Sequence, residues 1–208
     1  MKKGFRPPAW TGRTVAVVGA GPSLTAEDCA AVAAAGLPTI AVNLAFRLAP
    51  GAEILLGYDS AFWRLYWREA AEMCPEAKRL QVSQSIQGVD VESVWGAEWV
   101  TNGYNSGAQA LSLALASGAS RVLLLGIDCK GTPGKMHFHG DHVTGLKNAK
   151  SMHLWPQAFQ TVGRSAGKTG ASIVNCSRDT ALTCFQRATL EEELSKLRVL
   201  ESSPIETA

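Results

Sequence analysis

The sequence predicts an α/β fold: one Rossmann-like domain with a mostly parallel, twisted sheet and helices on both faces. Short apolar segments rich in β-branched residues alternate along the chain with segments whose apolar residues recur at helical spacing. Polar and glycine-rich residues follow the apolar segments, as they do at the carboxyl ends of parallel strands. The 208 residues suit a single domain, with a core expected over about residues 13–198 and flexible tails at 1–10 and 199–208.

Three strands are predicted in the first part of the chain. Residues 14–19 are short, β-branched and ended by glycine, which is typical of a buried strand. A turn at 19–24 leads into an alanine-rich helix that runs to the glycine at Gly36. Residues 38–43 and 53–57 predict the second and third strands.

An amphipathic helix is predicted over residues 60–74, after the third strand. Its aromatic residues are expected in the core rather than stacked on a ligand. An apolar face on this helix is compatible with a homo-oligomer as well as with core packing. The residues at helical spacing are Phe62, Leu65, Tyr66, Ala70 and Met73.

Residues 78–99 carry the weakest pattern, and short strands are expected near 79–82 and 98–100. Beyond them, Asn105 or Ser106 is expected to cap a helix that continues to Ala116.

The last part of the chain predicts two strands and two helices. Residues 121–127 form the clearest apolar segment and predict the central strand, and 172–175 predict the last one. Helices are expected over 146–166, with Pro156 as a kink or break, and over 190–197.

The composition argues against several classes of function. A net charge of +2 with 18% charged residues is too mild to indicate nucleic-acid binding by bulk electrostatics. The five cysteines are odd in number and form no CxxC pair, which favours a reducing, cytoplasmic compartment. The start of the chain lacks the apolar segment of a signal peptide, and no apolar run of about 18 residues predicts a membrane span.

Ligands of open parallel sheets bind beyond the carboxyl ends of the strands. This rule selects the loops at 19–23, Asn43, Asp59, 128–142 and 175–178.

The turn Gly19-Ala20-Gly21-Pro22-Ser23 joins the first predicted strand to a helix. Glycines let a ligand approach the backbone, and a helix N-terminus favours anionic groups. Leu24 stands where the dinucleotide fingerprint requires a third glycine, and the Gly-Lys-Ser/Thr of a P-loop is absent. The turn therefore predicts contact with a phosphate or nucleotide; a tight turn with a capping serine is the structural alternative.

Other polar residues at strand ends have both a structural and a functional interpretation. Asn43 ends the second strand, where its amide can bond a ribose, a base or the first loop. Asn105 and Ser106 open a helix, either as caps or as contacts to a second anionic or hydroxylated group. Asp128 ends the central strand and can bind a sugar hydroxyl or a cation, or cap its own loop.

Three of the four histidines lie in the segment His137-Phe138-His139-Gly140-Asp141-His142. Its spacing matches the dinuclear zinc site of the metallo-β-lactamase superfamily, but that fold needs further His and Asp ligands downstream, where the only histidine of this chain is His153. No metal is therefore expected. A loop closed by His–Asp bonds is one alternative, and a proton-transferring or phosphate-binding imidazole is the other. An imidazole beside Asp141 suits general base catalysis.

Five segments, taken in order, resemble a known group of proteins. Together they resemble the bacterial sialyltransferases of glycosyltransferase family 42. They are still more similar to the phage and bacterial DUF115 proteins, whose archaeal relatives include 6-hydroxymethylpterin pyrophosphokinases. The segments are Gly19-Ala-Gly-Pro-Ser-Leu24, Ala41-Val-Asn43, Asn105-Ser-Gly107, Leu125-Gly-Ile-Asp128 and Gly140-Asp-His142, and the resemblance spans about residues 13–190.

The resemblance implies a role for each matching segment. In the sialyltransferases the glycine turn and the asparagine after the second strand hold a cytidine nucleotide sugar. The Asn-Ser-Gly helix start contacts the donor, and Gly-Ile-Asp lies along the nucleotide. A histidine after the loop is the general base on the acceptor hydroxyl, which points to His142, with Asp141 orienting it. That family needs no metal for its chemistry.

The chain departs from the sialyltransferases in two places. Ala20 replaces an asparagine whose amide helps to seat the donor. The paired tyrosines that support the leaving phosphate have no counterpart in residues 129–135, so a lysine or histidine is expected to supply positive charge there. The residues expected at the nucleotide and donor site are Gly19, Gly21, Pro22, Ser23, Asn43, Asp59, Asn105, Ser106, Gly107, Gly126, Asp128, Lys130, Lys135, His137 and His139.

The leading hypothesis is a nucleotide-sugar-dependent glycosyltransferase that needs no cofactor and acts on a hydroxyl of a glycan or a modified DNA base. An alternative is a Mg²⁺-dependent pyrophosphokinase for a hydroxymethylated heterocycle, with Asp59 or Asp128 as metal ligands. A third is a non-catalytic phage protein of assembly or host interaction on the same fold. The expected location is the cytoplasm, that of the bacterial host if the chain is phage-encoded.

Overall fold

The computed structural model describes residues 5–101, 105–133, 135–140, 146 and 152–202, with side chains to residue 199. Within these residues, eight strands form one sheet in the order β5-β4-β3-β2-β1-β6-β7-β8, and every neighbouring pair is parallel. The predicted α/β class is confirmed, and the sheet is fully parallel over the described strands. The strands are β1 Thr14–Val18, β2 Thr39–Val42, β3 Ile54–Gly57, β4 Lys78–Gln81, β5 Glu92–Ser93, β6 Arg121–Leu125, β7 Ser172–Asn175 and β8 Gln186–Arg187.

Helices cover both faces of the sheet. Successive strand residues alternate between two cores: Val15 and Val17 pack with α3 and α4, whereas Ala16 and Val18 pack with α1, α2 and α5. This alternation follows from the two-residue period of a strand, and it explains why the central strands are apolar on both faces. The helices are α1 Ala26–Ala34, α2 Ser60–Met73, α3 Ser106–Ala116, α4 Trp155–Thr169 and α5 Leu190–Ser202, with 3-10 turns at Asn43–Arg47 and Met152–Leu154.

The helix ends follow local chemistry. Thr25 and Asp28 form a capping box at α1, in which each side chain accepts a hydrogen bond from the other's backbone N–H, at 3.3 and 3.2 Å. Gly170 ends α4 with a φ of 73°, a conformation that favours glycine. Pro156 lies in the first turn of α4, directly after a 3-10 turn, so the α-helix begins there and is not kinked. Of the predicted kink or break, the structure has the break. A proline is tolerated in a first turn because its missing N–H would have had no partner within the helix.

Two strand predictions were wrong. Residues 98–100 form a turn closed by the bond from the Val100 N–H to the Ala97 carbonyl at 2.9 Å, and the edge strand is Glu92–Ser93 instead. The strand Gln186–Arg187 lies beyond Ser172–Asn175, which was expected to be the last. Both missed strands are two residues long and polar, so neither carries a periodic apolar signal.

The aromatic residues of α2 lie in the core, as predicted. Phe62 and Trp63 are buried, and their rings meet edge to face with centroids 5.0 Å apart. Leu65 and Met73 remain exposed on the outer side of the helix. No helix in the part of the chain that the structure describes is long and apolar enough to cross a membrane.

The five cysteines are free thiols, and all except Cys184 are buried. Burial, the largest cause, raises the pKa of Cys29, Cys129 and Cys176 to about 12 in each case. Thiols with such a pKa stay protonated and unreactive at neutral pH.

A buried carboxylate ties α5 to the sheet. Glu193 accepts hydrogen bonds from Arg121 Nε at 2.7 Å and from Lys196 Nζ at 2.5 Å. Burial by itself would raise the pKa of Glu193, but these bonds outweigh it and hold the pKa below its ordinary value of 4.5. The ionised form is thus favoured in the folded protein. Its contribution to stability is present above pH 4.5 and is lost as the pH falls through the lowered pKa.

Replacing Glu193 with glutamine is therefore expected to lower the free energy of unfolding by roughly 1 kcal/mol at neutral pH, since both cations keep contact with solvent. Urea unfolding at about pH 7 and about pH 3 measures the effect, and the difference from wild type should shrink at the lower pH. Glu191→Gln, at an exposed position of the same helix, is the control. An equal loss for the two variants, or a loss that grows in acid, would contradict this account.

Candidate functional site

The strand order places a crevice beside β1. The chain crosses from β1 to β2 on one side and later returns to β6 on the other, so the loops at the carboxyl ends of β1 and β6 diverge at this point. A cleft of about 150 Å³ lies there. Eleven of the fifteen residues predicted for the nucleotide and donor site line it: Gly19, Gly21, Asn43, Asp59, Asn105, Ser106, Gly107, Gly126, Asp128, Lys130 and His137.

The glycine turn packs directly on the turn that follows β6. A Cβ atom on Gly21 would lie 2.5 Å from Asp128 Cγ and 2.6 Å from the Gly126 carbonyl oxygen. A Cβ atom on Gly19 would lie 2.6 Å from the same oxygen. Real Cβ atoms do not approach so closely, so both positions require glycine for the contact between the two turns. The N–H groups of Gly19 and Gly21 donate to Leu125 and Gly126 carbonyls at 2.7 and 2.8 Å, which fixes the turn against β6.

Asp128 holds the far end of the glycine turn. Its two carboxylate oxygens accept hydrogen bonds from the Ser23 backbone N–H at 2.7 Å and from the Ser23 hydroxyl at 2.6 Å. Burial raises the pKa of Asp128, against the opposing effect of the two Ser23 bonds. Ser23 and Asp128 were each predicted to contact a ligand, but the structure brings them into contact with each other. Ser23 does not line the cleft, nor does Pro22.

The loop after β7 holds the turn that follows β6, which contains Ile127 and Asp128. The Ile127 N–H donates to Ser177 Oγ at 2.8 Å, and Thr180 Oγ1 donates to the Ile127 carbonyl at 2.8 Å. The Ala181 N–H donates to the Asp128 carbonyl at 2.7 Å. Sequence reasoning selected residues 175–178 only as a strand-end loop and gave no role to Ser177 or Thr180. The feature that could have indicated this role is the polar segment that follows Asn175. The Asn175 side chain is itself fully buried, as a structural polar residue at a strand end can be.

The β2 and β3 side of the cleft is joined to α3 through Ser106. Its hydroxyl accepts a hydrogen bond from the Tyr58 N–H at 3.1 Å and donates to Asn43 Oδ1 at 3.5 Å. Asn43 has a φ of 52°, which few residues other than glycine adopt. Asn105 is the N-cap of α3, as predicted, and accepts from the Ala108 N–H at 2.8 Å. Asp59 is exposed at the start of α2 and makes no capping bond.

The lysines predicted to support a leaving phosphate differ in position. Lys130 lines the cleft and forms an ion pair with Asp179 at 2.5 Å. Lys135 is exposed in a turn, where its backbone N–H and carbonyl bond Thr132 at 2.9 Å each. Lys135 and His139 do not line the cleft. Of these two lysines, Lys130 is thus the one that the structure places at the cleft.

The histidine loop docks on the glycine turn. The Phe138 N–H donates to the Ala20 carbonyl at 3.1 Å, and the rings of His137 and His139 stack with centroids 5.1 Å apart. His137 is buried and lines the cleft. Asp141 and His142 lie outside the described residues, so their catalytic roles stay predictions. Among the residues that the structure describes, no three His, Cys, Asp or Glu side chains are grouped so that they could hold a metal ion.

No family model matches the sequence, and no curated protein matches it. Among solved structures, the chain is similar to the sialyltransferase CstII from Campylobacter jejuni in complex with a substrate analogue, cytidine-5'-monophosphate. The TM-score is 0.58, the match covers 86% of each chain, and 13% of the residues are identical. At that identity the likeness shows a shared fold, in agreement with the α/β class predicted from the sequence.

Proposed function

We propose that the protein is a nucleotide-sugar-dependent glycosyltransferase that transfers a sugar to an acceptor hydroxyl of a glycan or a modified DNA base. The observation that carries the proposal is that eleven residues predicted for a nucleotide-sugar donor line one cleft. This cleft lies beside β1, at the switch point of the sheet, where the connections of β1 and β6 diverge. The likeness to a sialyltransferase in complex with cytidine-5'-monophosphate (CMP) supports the same activity. It also agrees with the resemblance of the sequence to the bacterial sialyltransferases.

In this proposal the donor lies across the carboxyl ends of β1, β2 and β6. His142, oriented by Asp141, takes the proton of the acceptor hydroxyl as its oxygen attacks the anomeric carbon. The bond from that carbon to the phosphate breaks in the same step, and the nucleotide leaves as an anion. Lys130 neutralises the departing phosphate, so its ion pair with Asp179 loosens when the nucleotide is bound.

Calorimetric titration with CMP, UDP, GDP and their sugars tests this function. We expect one nucleotide to bind with a dissociation constant of about 1 μM to 1 mM, the usual range for enzyme substrates. Asn43→Gly should weaken binding, because it removes an amide that lines the cleft yet permits the left-handed backbone. Wild-type protein that binds none of these nucleotides would overturn the proposal.

The same titration with and without Mg²⁺ separates this function from a pyrophosphokinase. Asp59 and Asp128 were the candidate magnesium ligands under that alternative. Both oxygens of Asp128 already accept hydrogen bonds from Ser23, whereas Asp59 is exposed at the cleft. The glycosyltransferase proposal uses no metal, so it predicts nucleotide binding that is indifferent to Mg²⁺. Binding of ATP that requires Mg²⁺ would favour phosphoryl transfer instead.

A further inference from the structure

One part of the cleft is apolar, and the proposed chemistry gives it no role. Met136, Met152, Trp155 and Phe159 line the cleft together with the polar side chains at the strand ends. We call these four residues the apolar wall.

The two aromatic residues of the apolar wall belong to α4, which packs on α3. Phe159 is buried, and a Cβ atom on Gly107 would lie only 3.0 Å from Phe159 Cζ, so the ring rests on the first turn of α3. Trp155 precedes Phe159 by four residues on α4 and thus lies on the same face of that helix. It packs against the core and keeps part of its surface in the cleft. The aromatic part of the wall is therefore part of the folded core.

We propose that Trp155 is the stacking platform for the nucleobase of the donor, an inference that rests on the proposed function. An indole offers a flat π face, and methionine sulfurs make favourable contacts with aromatic rings. A phosphate would find no hydrogen-bond donor on the wall's four side chains except the indole N–H. Of the parts of a nucleotide sugar, the base is the one that is both planar and aromatic.

Calorimetry with two probes tests the platform: CMP, and ribose 5-phosphate, which has the sugar phosphate but no base. Wild type should bind CMP more tightly than ribose 5-phosphate. Trp155→Met, which keeps an apolar side chain without a ring, should weaken CMP binding about tenfold, as expected for loss of base–aromatic stacking. Trp155→Phe should retain most of the affinity. Neither variant should change the binding of ribose 5-phosphate.

Trp95→Met is the matched control, because Trp95 is 60% exposed and does not line the cleft. Thermal melts of all three variants establish that each is folded. The platform is overturned if wild type binds CMP and folded Trp155→Met binds it equally well. It is also overturned if that variant loses affinity for CMP and for ribose 5-phosphate to the same extent. Failure of the proposed function gives a different result, because wild type then binds no nucleotide at all. In that case the proposed platform is wrong as well.

Discussion

Replacing His142 with alanine is expected to lower the rate of sugar transfer by about 10²–10⁴-fold, the usual contribution of a general base. Nucleotide affinity should stay near that of wild type, because the proposed base acts on the acceptor and not on the donor. Initial rates of transfer, with CMP binding measured on the same preparation, provide both quantities.

His153→Ala is the matched control, because His153 is exposed in the 3-10 turn before α4. Its transfer rate should match that of wild type. If His142→Ala retains full activity, another group takes the proton, and the predicted role of His142 is wrong. Equal losses for the two variants would point to an effect on folding in place of catalysis.

Replacing Asp128 with alanine is expected to lower the free energy of unfolding by about 1–3 kcal/mol, because the Ser23 N–H and hydroxyl lose their acceptor. Nucleotide affinity should fall as well, since the glycine turn is no longer held against β6. Asp128→Asn should avoid both losses. Its amide oxygen can accept from the Ser23 N–H while its NH₂ group donates to the Ser23 hydroxyl, which can act as donor or acceptor.

The asparagine variant also tests the charge of Asp128. Burial raises the pKa of Asp128 above its ordinary value of 3.8, with Asp179 adding to this rise and Lys130 opposing it. The folded state thus binds more protons than the unfolded chain, and wild-type stability from this group falls as the pH rises through the raised pKa. In urea unfolding, the free energy of unfolding of Asp128→Asn should increase relative to that of wild type between about pH 3 and about pH 7. This account would be contradicted if Asp128→Asn lost as much stability and nucleotide affinity as Asp128→Ala.

The architecture could be predicted because its central strands are apolar on both faces. Val122 and Leu124 face one core, and Leu123 and Leu125 face the other, so β6 after its first residue shows in the sequence as an uninterrupted apolar run. The edge strand Gln186–Arg187 could not be predicted in this way. Its two polar residues are strand only because they pair with Val174 and Asn175, a contact set by tertiary structure.

The grouping of the site residues around one cleft could also be predicted, but not the bonds between them. The rule that ligands bind at strand ends selected Gly19, Asn43, Asp59 and Asp128, and all four line the cleft. Ser23 and Asp128 are 105 residues apart in the chain, and nothing in the local pattern of either shows that they bond each other. The support from Ser177 and Thr180 was missed for the same reason. Trp155 stood in a predicted helix, where an aromatic residue is more often part of a core.

A structure of the protein with CMP bound tests the central claim most directly. The account predicts the nucleotide in the cleft at the carboxyl ends of β1 and β6, with its phosphate near Lys130 and its base against Trp155. A second hollow lies beside Arg178 and Arg187, where the chain enters α5. CMP bound in that hollow, with the cleft at the switch point empty, would contradict the account.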